Sequence, residues 1–135
     1  MLYIEDDPGC IALVERLLRR RPQTDLRVAM NAAAGVKAAT DAQPALILLD
    51  NRLPDATGAE ILGQLASSAA TAKVPVVILT GDSDPGTAHE LIASGAREFL
   101  AKPFDIYQFL AMVDRYLPAI IRPQGGNPPV PDAAR

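Results

Sequence analysis

Short aliphatic runs recur along this chain at 2–5, 26–29, 46–50, 74–80 and 97–101. Two of them, LILL and VPVVIL, are apolar at successive positions rather than at alternate ones. Continuous apolarity over so short a length predicts strands covered on both faces, as in a parallel sheet. Between the runs lie longer stretches whose apolar residues return every three or four positions. Asp7-Pro8 places an N-cap before a proline at the first helical position, and Ile11, Val14, Leu17 and Leu18 then share one face. Asn31 is positioned to cap a second helix of mostly small residues running to about Asp41. Thr57 starts a third, with Ile61, Leu62 and Leu65 facing inward. Asp84-Pro85 repeats the cap-then-proline device, with Gly95 closing that fourth helix. Asp105 starts a fifth, carrying Phe109, Val113 and Leu117 at helical spacing.

Each strand–helix–strand link is long enough for a right-handed crossover between parallel strands. Five β/α units in 135 residues predict an α/β domain over 1–117. Its architecture is a flavodoxin-like three-layer sandwich, a five-stranded parallel sheet in the order 2-1-3-4-5 with five helices. After Leu117 the text changes to PAIIRPQGGNPPVPDAAR, so 118–135 reads as a flexible tail or linker with little to bury.

Composition narrows the function classes. The formal net charge is −3, which leaves no general basic surface for nucleic acid. Cys10 is the single cysteine, so neither an internal disulfide nor a cysteine metal cluster is available, and it reads as a buried small hydrophobe. No apolar run approaches the roughly 20 residues that span a bilayer. The start, MLYIEDD, has acids where a secretory signal carries bases, so a cytoplasmic location is expected.

Ligands of parallel α/β sheets sit beyond the carboxyl ends of the strands. The chemically distinctive residues fall there: Glu5-Asp6-Asp7 after the first run, Asp50 at the third, Thr80 at the fourth and Lys102-Pro103 after the fifth. Singly each has a bland explanation. Acids after strands cap helices, and a lone Asp there is more often a turn residue than a nucleophile. Together they predict converging carboxylates with one hydroxyl and one ammonium. Clustered carboxylates repel unless a cation neutralises them, and three hard-oxygen groups suit Mg²⁺. Asp50 would then be a carboxylate nucleophile toward phosphorus, with the metal and Lys102 offsetting charge on the phosphoryl oxygens.

The strings LYIEDDP, LILLDNRLPDATG, VVILTGD and FLAKPF, in this order and spacing, resemble the receiver domains of bacterial response regulators and hybrid sensor kinases. The resemblance spans 2–117, and the opening is most similar to receivers attached to hybrid kinases. It implies a two-component phosphoacceptor that catalyses only its own phosphorylation and dephosphorylation. Asp50 matches the phosphoacceptor, Asp6 the direct metal ligand and Glu5 an acid acting through water. The carbonyl of Arg52 matches the third protein ligand of Mg²⁺. Thr80 matches the switch hydroxyl, Lys102 the lysine that pairs with the phosphoryl group, and Phe99 the switch aromatic. Lys102-Pro103 matches the family's cis peptide. Implied partners are a sensor histidine kinase or histidine phosphotransfer protein and a downstream protein target. The face of the fourth helix, fifth strand and fifth helix would switch, and would also serve a homodimer. Arg52 and Asp82 flank the water path to the phosphoryl group, where an ion pair would form a partial lid.

Other function classes fit less well. A receiver-like binding module without phosphate chemistry would lack Asp50, Lys102 or the acidic pair. Haloacid-dehalogenase phosphatases carry Asp-x-Asp after the first strand, whereas Asp50-Asn51-Arg52 follows the third. A histidine phosphotransfer module would need its histidine on a helical bundle, and His89 falls in the fourth helix of an α/β pattern as a surface residue.

Overall fold

The computed structural model describes residues 1–81 and 85–117. Its sheet has strands β1 (Leu2–Ile4), β2 (Arg27–Ala29), β3 (Ile47–Asp50), β4 (Val76–Thr80) and β5 (Glu98–Ala101). All pairings are parallel and the order is β2-β1-β3-β4-β5, as the alternating pattern predicts. The helices are α1 (Pro8–Leu17), α2 (Ala32–Ala42), α3 (Gly58–Ala66), α4 (Pro85–Ala93) and α5 (Ile106–Tyr116).

The strands are shorter than the aliphatic runs because the runs include turn residues. Val74 N–H bonds back to the Thr71 carbonyl rather than to a neighbouring strand, so the fourth run begins inside the turn after α3. A 3₁₀ turn over Leu18–Arg20, absent from the periodicity, extends α1 and buries Leu18.

Alternation along the strands sorts the core into two layers. Leu2, Ile4, Ile47, Leu49, Val76 and Ile78 face α2, α3 and α4. Tyr3, Leu46, Leu48, Val77 and Leu79 face α1 and α5, whose Val14, Leu17, Phe109 and Val113 complete that side. Ile11 and Leu117 are only half-buried at the margin. The first layer is thin where α2 crosses β1. A Cβ on Gly35 would lie 2.5 Å from Ile4 Cδ1, so the small-residue character of α2 sets how closely it approaches the sheet.

The caps form as their local sequence predicts. Asp7, Asn31, Thr57 and Asp105 each accept a backbone N–H from the first turn of the helix they precede, and Thr57 with Glu60 completes a capping box. Gly95 closes α4 at φ +117°, a conformation that a side chain would strain. The expected tail at 118–135, the Asp84 cap and Asp82 of the expected lid lie outside the described residues. Among the described residues, no helix is long and apolar enough to cross a membrane.

Candidate functional site

The carboxyl ends of β1 and β3 lie side by side at the centre of the sheet, with Ile4 opposite Leu49. Asp50 ends β3, and Glu5-Asp6 continue directly from β1. This adjacency gathers ligand atoms of Glu5, Asp6 and Asp50 within 4.8 Å of one another. Lys102 reaches the same point from the end of β5. Its Nζ donates to Glu5 Oε1 at 3.1 Å and to Asp50 Oδ1 at 3.3 Å. The Lys102 backbone N–H donates to the Thr80 carbonyl at 2.7 Å, and Thr80 is buried at the end of β4. The Lys102–Pro103 peptide is cis.

The electrostatics follow from crowding. Burial pushes Asp50 up to about 6, and the Glu5 carboxylate beside it adds to that push while Lys102 opposes it. Burial alone would raise Glu5 too, but hydrogen bonds from Asp50, Lys102 and Tyr3 and the Lys102 charge hold it below the ordinary range. The two carboxylates therefore titrate together, Asp50 displaced upward and Glu5 downward. Burial works against the Lys102 ammonium, yet Asp50 and Glu5 together keep its pKa above that of an ordinary lysine.

Past Asp50 the chain turns sharply. Leu53 N–H bonds to the Ala56 carbonyl, Gly58 N–H to the Asn51 carbonyl, and Arg52 bridges to Thr57. Arg52 thus sits on a tight loop two residues beyond the phosphoacceptor candidate. Phe99 lies apart from the well, beside Ile78 on β5, and is 42% exposed.

The structure brings together Glu5, Asp6, Asp50 and Lys102, with Thr80 joined to Lys102 through its backbone carbonyl. Cys10 departs from expectation. It is half-buried rather than a core residue, with Sγ 3.8 Å from Lys102 Nζ, because α1 begins at the rim of the well. Burial pushes its thiol up to about 11, aided by Asp7, so it remains a neutral neighbour. A cavity of about 310 Å³ lined by Cys10, Leu13, Lys102, Pro103 and Phe104 opens alongside.

Sequence reasoning missed two groups. Tyr3 is fully buried, and its hydroxyl donates to Glu5 Oε1 at 2.9 Å. The signal was a phenol two residues from an acid on the same strand face. Asp55, in the loop after Asp50, accepts from Ala32 and Ala33 N–H at 2.7 and 3.1 Å, and no local pattern points to that reach.

Comparison with known proteins agrees with this geometry. The family model described as the response regulator receiver domain matches residues 1–114. The DNA-binding dual master transcriptional regulator RpaA of Synechocystis sp. is 34% identical over 113 residues, 84% of this chain and 46% of that protein. The DNA-binding transcriptional regulator NtrC of Proteus hauseri is 33% identical over 112 residues, 83% of this chain and 23% of that protein. This chain therefore spans half or less of the length of these relatives. In fold, it is similar to CheY4, a chemotaxis response regulator of Vibrio cholerae, at a TM-score of 0.78 and 24% identity over 86% of this chain and 96% of that one. It is equally similar to the receiver domain of the sensor histidine kinase PA1611 from Pseudomonas aeruginosa, which has a magnesium ion in its active site cleft. There the TM-score is 0.77 with 24% identity, covering 85% of this chain and 93% of that one. Strand order, strand-end site and family match converge: this chain belongs to the response regulator receiver domains of two-component signalling.

Proposed function

We propose that Asp50 accepts a phosphoryl group from a phosphohistidine of a sensor histidine kinase or histidine phosphotransfer protein. The observation that carries this reading is the Lys102 ammonium held between Glu5 and Asp50, over a cluster of three carboxylates at the strand ends. An Asp50 oxygen forms the new bond to phosphorus, the phosphorus–nitrogen bond of the donor breaks, and the imidazole leaves with the electron pair. Lys102 and the Thr80 hydroxyl then serve as donors to the phosphoryl oxygens.

The donor set suits Mg²⁺. Hard carboxylate oxygens from Asp6 and Asp50, with Glu5 behind them and the Arg52 carbonyl on the adjoining loop, are the groups that would hold it. When bound, the ion supplies positive charge against the oxygens of the transferring group. The raised Asp50 fits this reading: burial is the larger cause and the neighbouring Glu5 adds to it, so a cation at this point would favour the ionised form.

Output follows from Thr80 and Phe99. A phosphoryl group adds roughly −1.5 to −2 charge and calls for new donors. Movement of Thr80 toward it opens space for Phe99 to swing inward. Phe99 has no hydroxyl to anchor either position, so packing sets the balance. Ile92, Phe99 and Tyr107 are exposed on α4, β5 and α5, and this face engages a downstream protein or a second copy of the chain. The acidic balance argues against direct nucleic-acid contact by this domain, and a cytoplasmic site of action fits a partner that carries phosphohistidine.

Incubation with Mg²⁺ and acetyl phosphate should add the mass of one phosphoryl group to the wild type and none to Asp50→Asn. An undiminished mass gain in the variant moves the acceptor elsewhere and sinks the assignment.

A further inference from the structure

An aromatic hydroxyl stands beneath the carboxylate well. Tyr3 packs in the layer facing α1 and α5, among Val14, Leu48 and Phe109, and is 0% exposed. Its hydroxyl donates to Glu5 Oε1, the same oxygen that receives Lys102 Nζ. The other oxygen, Oε2, accepts the Asp7 backbone N–H at 3.3 Å.

A buried tyrosine hydroxyl commonly finds whatever acceptor is near. The acceptor here is a carboxylate with 1% of its side chain exposed, and a buried acceptor left bare is costly. Lys102 is its ionic partner, yet Lys102 is also the group that must turn to a phosphoryl group on Asp50. If Lys102 were the sole donor to Oε1, its departure would strand a buried charge. With Tyr3 in place, Oε1 keeps a hydrogen bond throughout.

We propose that Tyr3 is a positioning residue: its hydroxyl holds the Glu5 carboxylate while Lys102 transfers from Glu5 to the phosphoryl group. This rests on the phosphoacceptor reading of Asp50. Tyr3 acts only through Glu5, the acid to which its hydroxyl donates.

Tyr3→Phe deletes the hydroxyl and keeps the ring. With saturating Mg²⁺, its affinity for beryllofluoride, a phosphoryl mimic, should fall roughly tenfold, the weight of one hydrogen bond to a buried ion. Calorimetric Mg²⁺ affinity without any phosphoryl mimic should stay within about threefold, since Lys102 then still covers Oε1. In Glu5→Asp the carboxylate is one methylene shorter and falls short of the hydroxyl. There Tyr3→Phe should add less than about twofold, the signature of coupling between the two groups. An equal loss in both backgrounds, with urea midpoints falling alike, assigns the effect to packing and overturns the proposal. Unchanged beryllofluoride affinity in Tyr3→Phe overturns it as well, as does a parallel loss of Mg²⁺ affinity. A wild type that neither binds beryllofluoride nor takes up phosphoryl at Asp50 sinks the underlying reading instead. A competent wild type with an unaffected Tyr3→Phe sinks only this inference.

Discussion

At the N-terminal ends of α1, α2, α3 and α5, polar side chains meet backbone N–H groups; at the carboxyl ends of β1 and β3, acids meet one another. Asp7, Asn31, Thr57 and Asp105 sit where helices leave donors unpartnered. Asp7 is held below the ordinary carboxylate range through its contacts with Cys10 and Gly9 N–H. Asp55 is held down by Ala32 and Ala33 N–H. Asp50 is displaced the other way, to about 6. The first set stabilises the fold as carboxylates, an amide and a hydroxyl. The second is crowded at a cost, the pattern expected of a functional site.

The largest test of that contrast is Asp50→Asn. A carboxyl whose folded pKa is raised binds its proton more tightly when folded. Its stabilising contribution is therefore full below about pH 4 and lost as pH rises through about 6. Without Mg²⁺, the wild type should accordingly lose stability across that window. An asparagine donates to Glu5 where a carboxylate repels it, so Asp50→Asn should be more stable at pH 7, on the order of 2 kcal/mol. Saturating Mg²⁺ should narrow the gap by stabilising the wild type alone. Urea unfolding at pH 4 and pH 7, with and without Mg²⁺, measures both effects. A less stable Asp50→Asn at pH 7 would place Asp50 among the caps.

The same contrast separates what could be read from the chain from what could not. Caps are local: Asp7-Pro8 and Thr57 are legible within a few residues, and each helix starts where they predict. Strand-end placement is nearly as legible, because the two-sided run LILL ends at Asp50 and a parallel sheet then aligns it with Glu5. Contacts across long chain separations left no such trace. Arg21 and Asp114 form a two-point ion pair, at 2.7 Å for each contact, across 93 residues. Their pairing exists only once α1 and α5 lie on one face of the sheet. Tyr3 was hidden differently, since an isolated tyrosine in a strand reads as core filler until its hydroxyl is placed.

A cap should respond oppositely to the well. Thr57→Ala removes the acceptor for Glu60 N–H and breaks the reciprocal box, which should cost about 1 kcal/mol. Unlike the Asp50 effect, this loss should be nearly the same at pH 7 with or without Mg²⁺, because no cation competes for the site. A Thr57→Ala penalty that Mg²⁺ largely erases would show that the loop between β3 and α3 is organised by the metal rather than by its cap.

The smallest effect is expected where cap and well share one segment. Asp55 lies five residues after Asp50, in the loop that also carries Arg52, yet its carboxylate reaches back to the first turn of α2. That gives the N-terminus of α2 two caps, Asn31 from its own sequence and Asp55 from the loop. Asp55→Ala should therefore speed amide hydrogen exchange at Ala32 and Ala33 while Ala34, still held by Asn31, keeps its protection. The loop would lose its anchor on α2 but keep the Leu53–Ala56 and Gly58–Asn51 hydrogen bonds. Mg²⁺ affinity should then fall by no more than about threefold, the scale of one solvent-exposed helix-end interaction. A tenfold loss would mean that the Asp55 anchor, and not the turn itself, holds the Arg52 carbonyl for the metal. Unchanged exchange at Ala32 and Ala33 would mean that water replaces the carboxylate without penalty, and that the loop and α2 are energetically separate despite their contact.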